Sequence, residues 1–463
     1  MIIVAMVTNL PPPFPVNRVS ACCFLTMAWL LSSCSFENST NSAYKLGSLG
    51  GVFAAEDSMF VIGVEKYDRE NVGYSRETDV MLKTPSAETH PELASRHPRE
   101  LAQLTREVDG YLHQEGSRVL TVSHILACND RGQVSFPYNN RSYVAGGPNL
   151  REQEQKAFAS GQDAVARWAR SDLRRAFQEA QSAGKPFTHV FVMCMGWVND
   201  QRESTMRFRN VAVQVTRAAR EKGDTRFRAL VIGVTWPSGW LTNSDVKALR
   251  HLGHAFSYPN KSNDADELGI RVISPLVFQH IRPCLPQGVV LVGIGHSFGA
   301  RAMSRAAYSH PMLRGSKGSQ FDILVSLQGA YSLKRWLPGL SWEGAPYVIS
   351  QQPLHFVTSS EHDTSNAIAF WSSHVGGADG LRGAKRYPSR FQTATWLPEA
   401  DQLDRSALSS ATPVIVDART LAQGKPDESL DVYGNESRSA HNDMLNAETG
   451  RFIYHLLSTQ LRY

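Results

Sequence analysis

The motif GHSFG at 295–299 constrains the fold more than any other stretch of the chain. It has the pattern G-x-S-x-G and follows a run of valine and leucine at 289–292. A short continuous apolar run is typical of a strand that is buried on both faces of a sheet. After the motif, small residues alternate with longer ones at helical spacing in 300–307. The sequence therefore predicts a strand, a tight turn and a helix, with Ser297 at the turn.

The residue types of this turn suit a nucleophile. A serine hydroxyl is weakly reactive unless the fold holds it within reach of a base. A sharp strand-to-helix turn presents the hydroxyl but crowds the backbone, so the positions two before and two after the serine must be small. Gly295 and Gly299 meet this need, and His296 completes the turn. The N–H of Phe298, at the start of the helix, is a donor for a developing oxyanion.

A strand, a G-x-S-x-G turn and a helix in this order resemble the nucleophile elbow of the α/β-hydrolase superfamily. The resemblance covers roughly residues 118–461. It implies an α/β fold with a mostly parallel twisted sheet and helices on both faces. It also implies an acid after a later strand and a histidine between the last strand and the last helix.

The resemblance identifies the other two members of a catalytic triad. The implied acid is Asp363, just past the predicted strand 353–358, and Asp379 and Glu361 are alternatives. The implied base is His441, which lies between a predicted strand, 412–417, and a predicted terminal helix, 447–461. The order serine, acid, histidine along the chain is the one that this superfamily uses.

Two tryptophans follow predicted core strands. In the superfamily, the loop after one early strand carries a His-Gly pair, and the N–H of the next residue is the second oxyanion donor. Here Gly196 and Trp197 follow the strand 190–195, and Met195 replaces the histidine, so the resemblance implies Trp197 N–H as that donor. Trp236 begins a Trp-Pro-Ser segment that resembles several bacterial α/β-hydrolase families, and it either lines an acyl or alcohol pocket or anchors a packed loop.

The remaining periodicity outlines an alternating fold. Strands are predicted at 58–67, 118–127, 132–138, 228–235 and 321–327, with the second and third forming a hairpin, and helices at 99–114, 149–183, 203–221 and 264–281.

Composition excludes some classes of function. The chain has 463 residues, of which 42% are hydrophobic, and a net charge of +5 that comes from scattered lysine and arginine. This balance indicates a globular protein without a nucleic-acid interface. The His251-x-x-His254 pair has no acidic or cysteine partner at a useful spacing, so we expect surface histidines, no metal site and no cofactor.

The first residues have the pattern of a secretory signal. Arg18 precedes an apolar run at 21–31, and Ser-Ser-Cys34 follows. This ending resembles the lipobox of bacterial lipoproteins, which implies a signal peptide over 1–33 and lipid on Cys34. Ser35 after it implies the bacterial outer membrane, on the periplasmic side.

These boundaries divide the chain. We expect a flexible tether over 34–57, an extension over 58–115 packed on the domain, and a hydrolase domain over 116–463 with a candidate lid at 240–263. Three cysteines remain outside the signal, with Cys194 expected as a buried free thiol and a Cys128–Cys284 disulfide left open.

The motifs together predict a serine hydrolase that cleaves an acyl ester of a small molecule through an acyl-enzyme. Two alternatives stay open: a non-catalytic binding protein of the same fold, and an acyltransferase that uses the same triad. Substrate identity, acyl length and oligomeric state do not follow from the sequence.

Overall fold

The computed structural model describes most of the chain beyond residue 58. The described residues are 59–68, 85–88, 91–113, 118–128, 134–139, 161, 163–197, 199, 201–238, 261–308, 321–337, 347, 353–367, 374–404, 408, 412–423, 440–443 and 446–460. The predicted signal peptide 1–33, Cys34, the tether 34–57 and residues 240–260 of the candidate lid lie outside them.

One mixed sheet organises the described residues. Its strands are β1 Met59–Asp68, β2 Arg118–Cys128, β3 Val134–Asn139, β4 His189–Cys194, β5 Ala229–Thr235, β6 Val290–His296, β7 Ile323–Leu327, β8 Leu354–Ser359, β9 Gln392–Leu397, β10 Gln402–Leu403 and β11 Val414–Asp417. Their order across the sheet is β10-β9-β11-β8-β7-β6-β4-β5-β1-β2-β3. Every neighbouring pair from β9 to β1 is parallel, and β10, β2 and β3 pair antiparallel at the two edges. The predicted α/β fold with a mostly parallel sheet is confirmed.

Helices cover both faces of this sheet. They are α1 Pro91–Arg96, α2 Pro98–His113, α3 Arg174–Ser182, α4 Gln201–Glu221, α5 Phe298–Ala307, α6 Thr364–Ala367, α7 Ala378–Arg386 and α8 Ala447–Gln460. Side chains in β4 alternate between two hydrophobic clusters. Val190 and Val192 pack with α5 on one face, and Phe191 and Met193 pack with α4 and α8 on the other. A strand buried on both faces reads as a continuous apolar run, which is why the core strands are visible in the sequence.

Three features of the fold differ from expectation. β9 and β10 lie at one edge of the sheet, where no strand was predicted. The helix predicted at 264–281 contains two π-helical turns, Leu268–Ile273 and Leu276–Ile281. The segment 58–115 contributes β1 to the interior of the sheet, between β5 and β2, and so does more than pack on the domain.

Two further observations concern the whole described region. Cys128, Cys194 and Cys284 are free thiols, which leaves no Cys128–Cys284 disulfide in the structure. Within the ranges given above, no helix combines the length and hydropathy that a membrane span requires.

Candidate active site

Ser297 lies at the turn between β6 and α5 in a strained backbone conformation. Its φ is 55° and its ψ is −121°, a region that residues with a side chain rarely occupy. Three backbone hydrogen bonds hold it there. Its N–H donates to the carbonyl of Leu327 at 3.0 Å, and its own carbonyl accepts from Ala330 N at 3.1 Å and from Arg301 N at 3.2 Å. Strain of this kind persists only where the surroundings over-determine it, and it clusters at functional sites.

The glycines of the motif are required by close backbone contacts. A Cβ on Gly295 would lie 2.5 Å from Ala300 Cα, and one on Gly299 would lie 2.0 Å from the carbonyl oxygen of Cys194. A Cβ on Gly196 would lie 2.6 Å from Ser297 Cβ. The loop after β4 therefore lies directly against the serine.

His441 and Asp363 are hydrogen-bonded although 78 residues separate them. His441 Nδ1 lies 2.9 Å from Asp363 Oδ2, and the carboxylate is fully buried. The alternative acids are engaged elsewhere: Asp379 pairs with Arg382 at 2.9 Å, and Glu361 pairs with Arg419 at 3.5 Å, both near the surface. Asp363 is thus the acid that the fold brings to this histidine.

His296 joins His441 to the strand that carries the serine. Its Nε2 lies 2.6 Å from the carbonyl oxygen of His441, and the two imidazole rings are 4.8 Å apart. A carbonyl only accepts, so Nε2 carries the proton. Burial and the neighbouring imidazole of His441 hold the pKa of His296 well below its usual value, so the ring is neutral. Among the described residues, no hydrogen bond joins His441 Nε2 to Ser297 Oγ.

The loop that would supply the second oxyanion donor is fixed from both ends. Asn199 Nδ2 donates to the carbonyls of Gly196 and Trp197, both at 3.1 Å. The Trp197 ring packs 5.9 Å from that of Phe298, the first residue of α5. Trp236 is only 3% exposed, and its Nε1 donates to the Met195 carbonyl at 3.0 Å. Its geometry is that of a packed loop anchor, the second of the two roles considered for it.

A buried charge cluster holds two arginines of α5. Asp266 binds Arg301 at 2.7 Å, Arg335 at 2.8 Å and Arg305 at 3.5 Å, and all four side chains are at most 2% exposed. Burial alone would raise the pKa of Asp266, but the three guanidinium groups hold that pKa well below its usual value. Since Arg301 and Arg305 lie on α5, the cluster fixes the helix that follows the serine.

Asn366 and His374 are buried beside Asp363, and sequence reasoning missed both. Asn366 donates to Asp363 Oδ2 at 2.7 Å, and its own Oδ1 lies 3.0 Å from His374 Nδ1. Asn366 comes three residues after the acid, a spacing at which an aspartate often caps a helical turn. That local signal could have indicated Asn366, whereas no pattern marks His374.

Other kinds of site are not evident in the described region. No group of three His, Cys, Asp or Glu side chains in it is arranged to hold a metal ion. A cavity of about 490 Å³ opens at the carboxyl ends of β8, β9 and β11, next to the loop that carries Asp363. Its walls include Glu361, Asp417 and Arg419. Neither Ser297 nor His441 lines this cavity.

Comparisons with known proteins add little to this geometry. No protein-family model matches the chain, and no curated protein matches it. Similar solved structures include the thermophilic esterase Est2 of the planctomycete Thermogutta terrifontis with propionate bound, at 11% identity, with 50% of this chain and 72% of that chain covered and a TM-score of 0.27. Its butyrate-bound form gives 12% identity, the same coverage and a TM-score of 0.26. TM-scores this low assign neither fold nor activity to this chain.

Proposed function

We propose that the protein is a serine hydrolase of the α/β-hydrolase superfamily that cleaves acyl esters. The observation that carries the proposal is the buried hydrogen bond between His441 and Asp363. His441 is in turn bonded through its carbonyl to His296, the residue before the serine at the strained strand-to-helix turn. A base oriented by an acid and placed next to such a serine is the constellation for nucleophilic catalysis. The chain order Ser297, Asp363, His441 and the parallel sheet support the superfamily assignment.

The reaction would proceed in two stages. His441 Nε2 takes the proton of Ser297 Oγ while that oxygen bonds to the ester carbonyl carbon. The N–H groups of Phe298 and Trp197 stabilise the oxyanion, and His441 returns the proton to the departing alkoxide. A water molecule, deprotonated by His441, then attacks the acyl carbon. The bond from that carbon to Ser297 Oγ breaks, His441 returns the proton to Oγ, and the acid is released. Asp363 holds the imidazole in the tautomer that carries hydrogen on Nδ1.

One observation favours a second candidate, a non-catalytic binding protein of the same fold. The serine and the imidazole share no hydrogen bond among the described residues, whereas a resting triad commonly has one. Catalytic hydrogen bonds are often long without substrate and tighten when it binds. Turnover therefore separates the two candidates.

Hydrolysis of p-nitrophenyl esters of graded acyl length tests the proposal. We expect Ser297→Ala to abolish turnover, and Asp363→Asn to lower kcat by about 10³–10⁴-fold because the imidazole then adopts the wrong tautomer. Asp379→Asn removes an exposed acid of the same type and should keep kcat within about twofold. A folded protein that turns over none of these esters supports the binding protein. Turnover that rises with added alcohol, with a new ester as product, indicates acyl transfer.

We further propose that Cys34 carries lipid and anchors the protein to the bacterial outer membrane on the periplasmic side. The support is the lipobox resemblance of the segment that ends in Ser-Ser-Cys34. Expression in a bacterium with radiolabelled palmitate tests it: the wild-type chain should take up label and Cys34→Ser should not. Equal labelling of both chains refutes the anchor and leaves the hydrolase proposal untouched.

A further inference from the structure

The carboxylate of Asp363 is held by more than the catalytic imidazole. Its Oδ1 accepts the backbone N–H of Asn366 at 3.0 Å. Its Oδ2 accepts Asn366 Nδ2 at 2.7 Å and His441 Nδ1 at 2.9 Å. Asn366 thus supplies two of these three donors, and one of its donors shares an oxygen with the imidazole. Because Asp363 is fully buried, these donors fix the rotation of the carboxylate.

The side-chain amide of Asn366 can take only one orientation. Its NH₂ group donates to Asp363 Oδ2 and to the carbonyl of Gln328, the latter at 3.0 Å. Both of those partners are acceptors only, so a flipped amide would set its oxygen against two oxygens. In the orientation present, Asn366 Oδ1 is the acceptor, and His374 Nδ1 must donate to it. This amide is therefore satisfied at every position.

The surroundings leave the amide little room to turn. A Cβ on Gly376 would lie 2.4 Å from Asn366 Nδ2, so the backbone there closes over the amide. His374 is 3% exposed and forms an isolated β-bridge with Ser332. The N–H of Gly376 donates to the Gly329 carbonyl at 3.0 Å. The donor to Asn366 thus lies on a segment that is tied to the loop after β7.

We propose that Asn366 is a positioning residue for the catalytic acid and that His374 positions Asn366. The proposal rests on the hydrolase function above. The proposed mechanism brings neither residue to the substrate. Asn366 fixes the carboxylate so that its Oδ2 meets His441 Nδ1, and His374 locks the amide so that Asn366 presents N–H groups to that carboxylate. The hydrogen-bonded series that orients the base for Ser297 would then run from His441 through Asp363 and Asn366 to His374.

Asn366→Leu is the first test, because leucine matches the shape of asparagine and keeps the backbone N–H but lacks the side-chain amide donors. We expect kcat for a p-nitrophenyl ester to fall about 10–100-fold with KM within about twofold, because only the orientation of the acid changes. Asn210→Asp, on α4, is the control for an ordinary asparagine substitution and should keep both constants. If the variant binds substrate more weakly, with a higher KM and an unchanged kcat, the proposal is contradicted.

A double-mutant cycle separates positioning from general structural damage. Once Asp363→Asn has removed the carboxylate, Asn366 has no acid to orient. We therefore expect Asn366→Leu to slow fluorophosphonate labelling of the wild-type chain about 10–100-fold, and of the Asp363→Asn chain by less than about threefold. Equal factors in the two backgrounds would mean that Asn366 acts independently of the acid, which overturns the inference.

His374 provides a second pair of variants should Asn366→Leu fail to fold. His374→Asn places an amide N–H close to the position of Nδ1, whereas His374→Phe has the ring but no donor. We expect the asparagine variant to keep kcat within about threefold and the phenylalanine variant to lose about tenfold. Equal activity of the two variants overturns the role of His374. Absence of wild-type labelling refutes the hydrolase proposal itself, whereas a labelled wild type with indifferent variants refutes only the positioning role.

Discussion

Replacing Ser297 by glycine should stabilise the fold while abolishing activity. At φ 55° and ψ −121°, the Cβ of Ser297 is strained, and a residue held in such a region costs about 1–3 kcal/mol. Glycine relieves this strain. It also has more conformational entropy than alanine in the unfolded chain, which lowers the free energy of unfolding by about 0.5–1 kcal/mol. Ser297→Gly should therefore be more stable than Ser297→Ala by about 1 kcal/mol, the difference between the midpoints of these two effects.

The comparison uses alanine as the reference because alanine lacks the hydroxyl but keeps the strained Cβ. Urea unfolding of both variants, with esterase activity absent in each, gives the difference directly. Ala102→Gly, at an exposed position of α2, is the matched control. There the same change should cost about 1 kcal/mol, so the sign reverses between the two sites. A glycine variant at 297 that is no more stable than the alanine variant would show that the serine backbone is not strained.

Three further substitutions test the framework around the site. Gly299→Ala puts a Cβ 2.0 Å from the Cys194 carbonyl, so it should cost at least about 1–3 kcal/mol and remove esterase activity; a stable, active variant contradicts this. Asp266→Asn leaves buried guanidinium groups without their carboxylate and should cost about 3–5 kcal/mol in urea unfolding, whereas Asp379→Asn at the surface should cost less than about 1 kcal/mol; similar losses would be inconsistent with the buried cluster. Burial lowers the pKa of His355 to about 3, whereas the unfolded chain takes up that proton near pH 6.5. The contribution of the neutral His355 to the free energy of unfolding is therefore complete above pH 6.5 and declines as pH falls toward 3. Between pH 8 and pH 5, the free energy of unfolding of His355→Gln should fall by about 2 kcal/mol less than that of the wild type, and parallel pH profiles of urea stability would refute it.

The parts of the fold that the sequence predicts are those set by local pattern. β4, β6 and β7 are buried on both faces, so each reads as a continuous apolar run. The turn at Ser297 was predictable because backbone crowding dictates its glycines. β9 was not, because it lies near the sheet edge with an alternating, partly exposed face and carries polar residues and threonine.

In the candidate site, too, the sequence predicts the residues that a local pattern marks and misses those that depend on contacts between distant segments. Ser297 is marked by its motif, while Asp363 and His441 were indicated only by their places after particular strands. The role of His296 depends on a contact with a residue 145 positions away, which no spacing encodes. The capping spacing after Asp363 could have indicated Asn366, but the bond from its amide to Gln328, 38 residues away, follows only from the folded chain. For Trp236, the sequence left two roles open because the exposure of a side chain is a property of the packed loop.

Mass-spectrometric mapping of a fluorophosphonate adduct is the most direct measurement of whether Ser297 is an activated nucleophile. We predict one adduct on the intact wild-type protein, located at Ser297, with labelling lost in Ser297→Ala and strongly slowed in His441→Ala. An adduct at another residue, or none under conditions in which a known serine hydrolase in the same tube is labelled, would contradict the proposed catalytic site.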